Sequence, residues 1–106
     1  MKITKIINYK GGWFVGNFEP SCFKTNDFEV GYKLHKKGEH WEAHYHEKIT
    51  EINFLISGKM IIQNQELHSG DVFVIYPKEI ADPVFLEDCH LCVIKTPGIV
   101  GDKILI

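Results

Sequence analysis

The stretch Gly38–Gly58, GEHWEAHYHEKITEINFLISG, contains three of the six histidines of this chain. His44 and His46 are separated by a single residue, so on a β-strand both imidazoles project from the same face. Two neutral imidazoles about 6–7 Å apart along a strand can converge on one cation. Glu51 follows after a short turn, which we interpret as the corner of a hairpin. The spacing predicts a site of two histidines and one carboxylate, suited to Fe(II), Mn(II) or Zn(II), and the alternative is a charged surface hairpin.

The composition restricts the classes of protein to which the chain can belong. It has 106 residues, 44% of them apolar and 25% charged, which predicts one globular domain over residues 1–106. The formal charge of −2 argues against nucleic acid as a partner. No run approaches the ~20 apolar residues of a membrane span, and no secretory signal is evident. Three cysteines do not form a disulfide framework, which favours a cytoplasmic location.

Short alternating runs of apolar and β-branched residues, separated by Gly, Pro, Asn and Asp, predict an all-β protein with an antiparallel sandwich or barrel. Along residues 50–56, Glu51 and Asn53 share one face with Leu55, and three apolar residues occupy the other. Such a strand suits a barrel with a polar lumen and a covered outer face. The strands are predicted near residues 3–8, 13–18, 28–35, 41–46, 50–56, 59–64, 71–76, 83–87 and 90–95, with a last apolar strand after Pro97.

The spacing of Gly38, His44, His46, Glu51 and Gly58 resembles the first motif of the cupin family at every fixed position. The segment Gly-Asp-Val-Phe-Val-Ile-Tyr-Pro, residues 70–77, resembles the start of the second cupin motif, with one extra residue before the proline. The resemblance implies a cupin double-stranded β-helix, or jelly-roll barrel, which in that family is usually a homodimer.

Two positions depart from the second cupin motif. Glu79 stands where the family has glycine, and Asp82 stands where the family has the histidine that acts as fourth metal ligand. Three alternatives follow. Asp82 ligates the metal beside the first three residues, or it points away and leaves three ligands, or the barrel has become a metal-free pocket. The implied cofactor is a divalent metal, with Mn, Fe, Zn and Ni as the candidates.

Further candidate residues follow from strand parity and chemistry. His40 and Glu42 share the parity of the two histidine ligands and are candidates for proton-transferring catalytic residues at the barrel mouth. His40 is also a candidate for the missing fourth ligand, and the alternative for both residues is an exposed position on the strand that enters the barrel. Tyr32 and Tyr76 are candidates for donating phenolic hydrogen bonds to a substrate. Asn53 shares the face of Glu51 and is expected to orient it or to bind substrate.

Three functions are compatible with these features. The first is a metal-dependent isomerase, epimerase or dioxygenase acting on a small sugar-like or anionic metabolite. The second is a non-catalytic module that binds a carbohydrate or another small molecule. The third is metal-free isomerisation or epimerisation of a nucleotide sugar by a histidine and a tyrosine. Both ends of the chain resemble small bacterial cupins associated with carbohydrate metabolism, and a barrel hosts many activities. Homodimerisation is predicted because apolar residues are expected to face outward, namely Ile52, Phe54, Ile56, Phe73 and Ile75.

Overall fold

The computed structural model describes residues 1–106 and contains ten β-strands and two short 3₁₀ turns. The all-β prediction is confirmed. No helix of the protein has the length and apolar character that a membrane span requires. The strands are β1 (Trp13–Val15), β2 (Glu29–His35), β3 (His44–His46), β4 (Thr50–Ser57), β5 (Lys59–Ile62), β6 (Gln65–His68), β7 (Val72–Ile75), β8 (Val84–Phe85), β9 (Cys89–Thr96) and β10 (Lys103–Leu105). The turns are Ile6–Asn8 and Lys10–Gly12.

The strands form three antiparallel sheets around a common core. One sheet has the order β1-β2-β9-β4-β7, the second pairs β10 with β3, and the third has the order β6-β5-β8. Residues from β4, β5, β7, β8 and β9 meet in the interior, so burial of apolar surface joins the five-stranded sheet to the three-stranded one. The buried core consists of Leu55, Met60, Ile62, Ile75, Ala81, Phe85, Cys89, Leu91 and Val93.

Two of the strand predictions were wrong at the level of whole elements. Residues 3–8 are exposed and pair with no sheet, and part of this segment forms a 3₁₀ turn instead. Strand β6 was not predicted, and the predicted strand 59–64 runs into the turn between β5 and β6. Gln63 and Asn64 both adopt positive φ angles, of 50° and 59°, which allows the two-residue reversal that Asn-Gly pairs usually make.

The inward face of β7 is also the opposite of the one predicted. Ile75 pairs with Glu51 and Phe73 pairs with Asn53 across the β4–β7 ladder, and directly paired residues point to the same face. Phe73 and Ile75 therefore line the interior, while Val72 and Val74 are exposed. On β4 the prediction was correct, because Asn53 and Leu55 are buried while Phe54 and Ile56 are exposed.

Candidate metal and substrate site

The connection from β3 to β4 is a corner between two sheets and not the hairpin that was predicted. Strand β3 pairs with β10, whereas β4 lies between β9 and β7 in the five-stranded sheet. Ile49 is fully buried in the corner and anchors it. The crossing brings the interior faces of the two strands toward each other, so His46 meets Glu51 across the corner, with His46 Nε2 3.4 Å from Glu51 Oε2.

The two histidines lie side by side in the interior, as their spacing predicted. Their ring centroids are 5.5 Å apart with the ring planes at 80°, and their exposed fractions are 9% for His44 and 6% for His46. The backbone of His44 is paired with Ala81 on one side and with Leu105 on the other, which fixes the strand.

Backbone carbonyls set the tautomer of both rings. His44 Nδ1 donates to the carbonyl of Glu42 at 3.0 Å, and His46 Nδ1 donates to the carbonyl of Asp102 at 3.1 Å. Because a carbonyl can only accept, the proton of each neutral ring lies on Nδ1, and Nε2 carries the lone pair. His46 Nε2 is buried and has no hydrogen-bond partner. A histidine held through one nitrogen and free at the other is the usual state of a metal ligand.

The pKa shifts favour the protonation states that a metal requires. Burial lowers the pKa of His44, as do the charges of Lys103 and His46, although the hydrogen bond to Glu42 and the charge of Glu51 act in the opposite direction. For Glu51, burial acts to raise the pKa, but the proximity of His46 and the charge of Lys95 outweigh it, and the pKa is lowered. A neutral imidazole and an ionised carboxylate are therefore favoured together.

The side chains of His44, His46 and Glu51 lie close together, but their donor atoms do not surround a common point. No group of three or more His, Cys, Asp or Glu side chains is placed as a metal would require. The donor types, the lone pairs and the buried Nε2 of His46, which makes no hydrogen bond, nevertheless fit a divalent cation.

A cavity of about 180 Å³ adjoins these donors inside the barrel. Apolar core residues form most of its wall, and the polar part contains His44, His46, Glu51, Asn53, His35 and three lysines. Asn53 is buried, and its Nδ2 has no hydrogen-bond partner, so a donor in the wall is available to an oxygen of a bound molecule. The prediction that Asn53 faces the site is thus consistent with its position.

A second cavity of about 360 Å³ lies beside the first. Its wall includes the loop from Ile99 to Asp102 and the segment Phe18–Pro20. The two cavities share four wall residues, which are Trp13, His46, Lys95 and Lys103. The candidate ligand His46 therefore lies where the two spaces meet.

The structure adds a histidine that the sequence analysis did not select. His35 is buried in the cavity wall, its Nδ1 lies 2.6 Å from Glu39 Oε2, and its ring stacks on Phe85 with centroids 4.4 Å apart. The same carboxylate oxygen accepts a hydrogen bond from Trp41 Nε1 at 2.5 Å. Two features of the sequence could have identified His35. It occupies an inward-facing position on its strand, and a glutamate follows four residues later.

The structure places the side chains of His40 and Glu42 outside the cavity, whereas the sequence analysis expected them at its mouth. Both side chains are exposed. Residues 41–43 are not a regular strand, so the alternation that places His44 inward does not extend back along the chain, and Trp41 points inward instead. Glu42 contributes only its backbone carbonyl.

Three further candidates are also outside the cavity. Asp82 is exposed and accepts a hydrogen bond from the amide of Gln63, so its carboxylate points away from the two histidines. Tyr32 lies on the outer face of β2, where its hydroxyl hydrogen-bonds His90. Tyr76 is 61% exposed. Neither tyrosine lines the cavity inside the barrel.

Comparison with solved structures identifies the fold. A conserved protein with a double-stranded β-helix domain from Klebsiella pneumoniae matches with a TM-score of 0.72 and 19% identity, over 98% of this chain and 90% of that chain. A cupin protein from Bacteroides fragilis matches with a TM-score of 0.58 and 23% identity, over 73% of this chain and 70% of that chain. The DMSP lyase DddQ from Ruegeria pomeroyi matches with a TM-score of 0.68 and 14% identity, over 88% of this chain and 49% of that chain.

No family model matches the sequence, and no curated protein matches it either. The structural likenesses show that this chain has the fold of a small cupin domain, a double-stranded β-helix.

Proposed function

We propose that this protein is a metal-dependent enzyme of the isomerase or epimerase type that acts on a small anionic or sugar-like metabolite. The observation that carries the proposal is the buried Nε2 of His46, which makes no hydrogen bond within the protein although its ring is fixed through Nδ1 and Glu51 Oε2 lies 3.4 Å away. A buried nitrogen lone pair without a partner costs free energy, and a bound cation beside Glu51 would satisfy it.

The metal ligands in this proposal are His44, His46 and Glu51. Two imidazoles and one carboxylate suit Mn, Fe, Zn or Ni and leave coordination positions open to a substrate. When bound, the cation would polarise a carbonyl oxygen of the substrate as a Lewis acid. Asn53 Nδ2 would donate a hydrogen bond to a substrate oxygen from the cavity wall.

His35 is the residue that we propose to move a proton. Its Nδ1 is held by Glu39, which leaves Nε2 as the nitrogen available to accept a proton from a carbon next to the carbonyl and to return it. The hydrogen bond from Trp41 lowers the pKa of Glu39, burial acts to raise it, and the hydrogen bond to His35 lowers it further. The resulting carboxylate would stabilise His35 in its protonated form during the transfer.

The pair of His35 and Glu39 favours isomerisation or epimerisation over dioxygenation. Isomerisation and epimerisation both need a base in the cavity beside the cation. One of the structurally similar proteins is a lyase, so the fold carries an enzymatic activity in that protein. At 14% identity that likeness concerns the fold alone.

The test combines metal content with proton exchange. Purified protein is analysed by inductively coupled plasma mass spectrometry and then incubated with sugars and sugar acids in D₂O, with NMR used to follow deuterium at the carbon next to the carbonyl. We expect bound metal, exchange that chelation abolishes, and loss of metal in His44→Ala but not in the control His40→Ala, whose side chain is exposed. Metal-free protein that exchanges no substrate would contradict the proposal.

The outward position of Asp82 favours a second candidate, because it leaves three donors where the cupin motif has four. In this alternative, His35 and Glu39 catalyse proton transfer without a metal, or the cavity only binds its ligand. Exchange that survives chelation and disappears in His35→Gln would indicate the first of these. Ligand-induced thermal stabilisation without exchange would indicate the second.

We also propose that the protein is a homodimer joined through the outer face of the five-stranded sheet. The outward positions of β2, β4, β7 and β9 carry no Lys, Arg, Asp or Glu. An uncharged, continuous apolar face suits a second copy of itself around a two-fold axis. The exposed apolar residues of this face are Leu34, Phe54, Ile56, Val72 and Val74.

The three cysteines form no disulfide, which fits the reducing cytoplasm in which we propose that the protein is located.

A further inference from the structure

The cavity wall has an excess of positive charge before any metal is considered. Three lysines line it, Lys33, Lys95 and Lys103, against the single carboxylate of Glu51. None of the three ammonium groups has a carboxylate within 4 Å, although other lysines of the chain do, such as Lys59 with Glu66. The excess positive charge therefore has no counter-ion in direct contact within the protein.

Two of these lysines converge on one tryptophan. Lys33 Nζ lies 5.4 Å and Lys95 Nζ lies 4.8 Å from the ring centroid of Trp13. The indole lies against Gly31, where a Cβ atom would be 2.7 Å from Trp13 Cε3. Gly31 pairs with Trp13 across the β1–β2 ladder, so the absence of a side chain at this position lets the ring pack onto the sheet.

The electrostatics of the pair are unfavourable without an anion. Burial lowers the pKa of Lys33, the neighbouring charge of Lys95 lowers it further, and Glu39 partly opposes both effects. Lys33 donates one hydrogen bond, to the carbonyl of Gly11 at 2.6 Å, and the side chain of Lys95 donates none. Packing on one aromatic ring needs a single cation, so a structural role for Trp13 does not account for the second ammonium group.

Nearby carboxylates do not neutralise the pair. Lys95 stands between Glu29 and Glu51 across the two neighbouring strands, but neither forms an ion pair with it. Glu51 lies 3.4 Å from His46 Nε2, and the charge of Lys95 lowers the pKa of Glu51 without an ion pair between them. The ammonium of Lys95 thus remains available at the junction of the two cavities.

We propose that Lys33 and Lys95 bind an oxyanion of the substrate, a carboxylate or a phosphate, against the face of Trp13. The inference rests on the proposed function, because it names the substrate class of the same cavity. The cavity inside the barrel has a volume of about 180 Å³, so the part of the substrate inside the barrel is small. The adjoining cavity has room for the remainder.

The experiment uses the fluorescence of Trp13 and Trp41, the two tryptophans of the chain, which both line the cavity. The protein is titrated with glucuronate, glucose 6-phosphate and glucose, which share a ring and differ in charge. We expect the two anions to bind at least tenfold more tightly than glucose, and the preference to weaken as salt is added. Whichever anion binds more tightly distinguishes a carboxylate site from a phosphate site.

The variants are Lys33→Met and Lys95→Met, with Lys59→Met as the control on a distant strand. We expect each of the first two to weaken anion binding about tenfold, which corresponds to about 1.4 kcal/mol, and the control to change nothing. Lys95→Met breaks no hydrogen bond within the protein, so it remains informative if Lys33→Met loosens the Gly11 turn. Equal binding of glucose and the anions, absence of any fluorescence response, or unchanged affinity in Lys95→Met would overturn the inference.

Repeating the titration with a chelator separates this inference from the proposed function. Charge-selective binding by a protein that carries no metal supports the lysine site and contradicts the metal-dependent enzyme. A metal-loaded, active protein that binds glucose and the anions equally would support the metal-dependent enzyme and contradict the oxyanion site.

Discussion

Lys103 lies directly opposite His46 in the antiparallel pairing of β10 with β3. The residue before it, Asp102, accepts the hydrogen bond of His46 Nδ1 through its backbone carbonyl. The carboxylate of Asp102 accepts hydrogen bonds from the amides of Lys48 and Ile49, each at 3.0 Å. One residue near the C-terminus therefore orients a candidate ligand and also holds the corner that leads to Glu51.

Replacing Asp102 with alanine should loosen this corner without removing the carbonyl that orients His46. The two amides lose a charged acceptor, and we expect the free energy of unfolding to fall by about 1–2 kcal/mol. Thermal denaturation measures the loss, and a shift of about 4–8 °C per kcal/mol is expected for a domain of this size. Metal affinity should fall as well, because outer partners of a site typically contribute about 10–100-fold.

Asp102→Asn is the matched control for this prediction, because the amide oxygen can still accept from the two backbone amides. It should recover part of the stability and part of the metal affinity. If Asp102→Ala binds metal like the wild type, the corner does not organise the ligands.

Glu39 should make the stability of the fold depend on pH. Its pKa is lowered from 4.5, first by the hydrogen bond from Trp41, against the opposing effect of burial, and also by His35. The folded state thus prefers the carboxylate, so the contribution is present above the unfolded pKa and is lost as the pH falls through the folded pKa. Glu39→Gln should therefore be less stable than the wild type at neutral pH, and the difference should shrink in acid.

Melting temperatures of both proteins from neutral pH to below 4.5 check this prediction. Glu42→Gln is the control, because that side chain is exposed and forms no ion pair. A difference between wild type and Glu39→Gln that is constant with pH would show that the ionised form has no special role.

The fold and the centre of the site were predictable because they depend on local patterns. Alternation along a strand places His44 and His46 on one face whatever sheet the strand joins. The short segment before Glu51 limits how far the carboxylate can move from them. Both facts are independent of the sheet topology, so the mistaken hairpin did not affect the choice of ligands.

The rest of the site depends on features that alternation does not describe. The break in regular structure at residues 41–43 exchanges the inward and outward positions, so Trp41 replaces His40 and Glu42 in the wall. Lys95 and Lys103 are brought to the cavity by strand pairings between residues far apart in the chain. Such pairings require the three-dimensional register, which the sequence of one chain does not reveal.

Gly31→Ala should displace Trp13 from the sheet. The added Cβ would lie 2.7 Å from the ring, so the indole must move and its contacts with the two ammonium groups must change. We expect a loss of about 1–3 kcal/mol in the free energy of unfolding and a shift in tryptophan emission. In a Trp13→Leu background the same substitution should cost less, and a double-mutant cycle measures the difference. Additive effects of the two substitutions would show that Gly31 is not required for the packing of Trp13.

The outer face of the five-stranded sheet should hold two copies together. Phe54 is 42% exposed in a single chain and lies amid uncharged neighbours, so a charge at this position would be buried without a partner in a dimer. We expect size-exclusion chromatography with light scattering to show a dimer for the wild type and a monomer for Phe54→Glu. The control Ile7→Glu changes an apolar residue that is 85% exposed and lies away from this face, and it should remain dimeric. A monomeric wild type, or a Phe54→Glu variant that stays dimeric, would mean that another surface, or none, joins the copies.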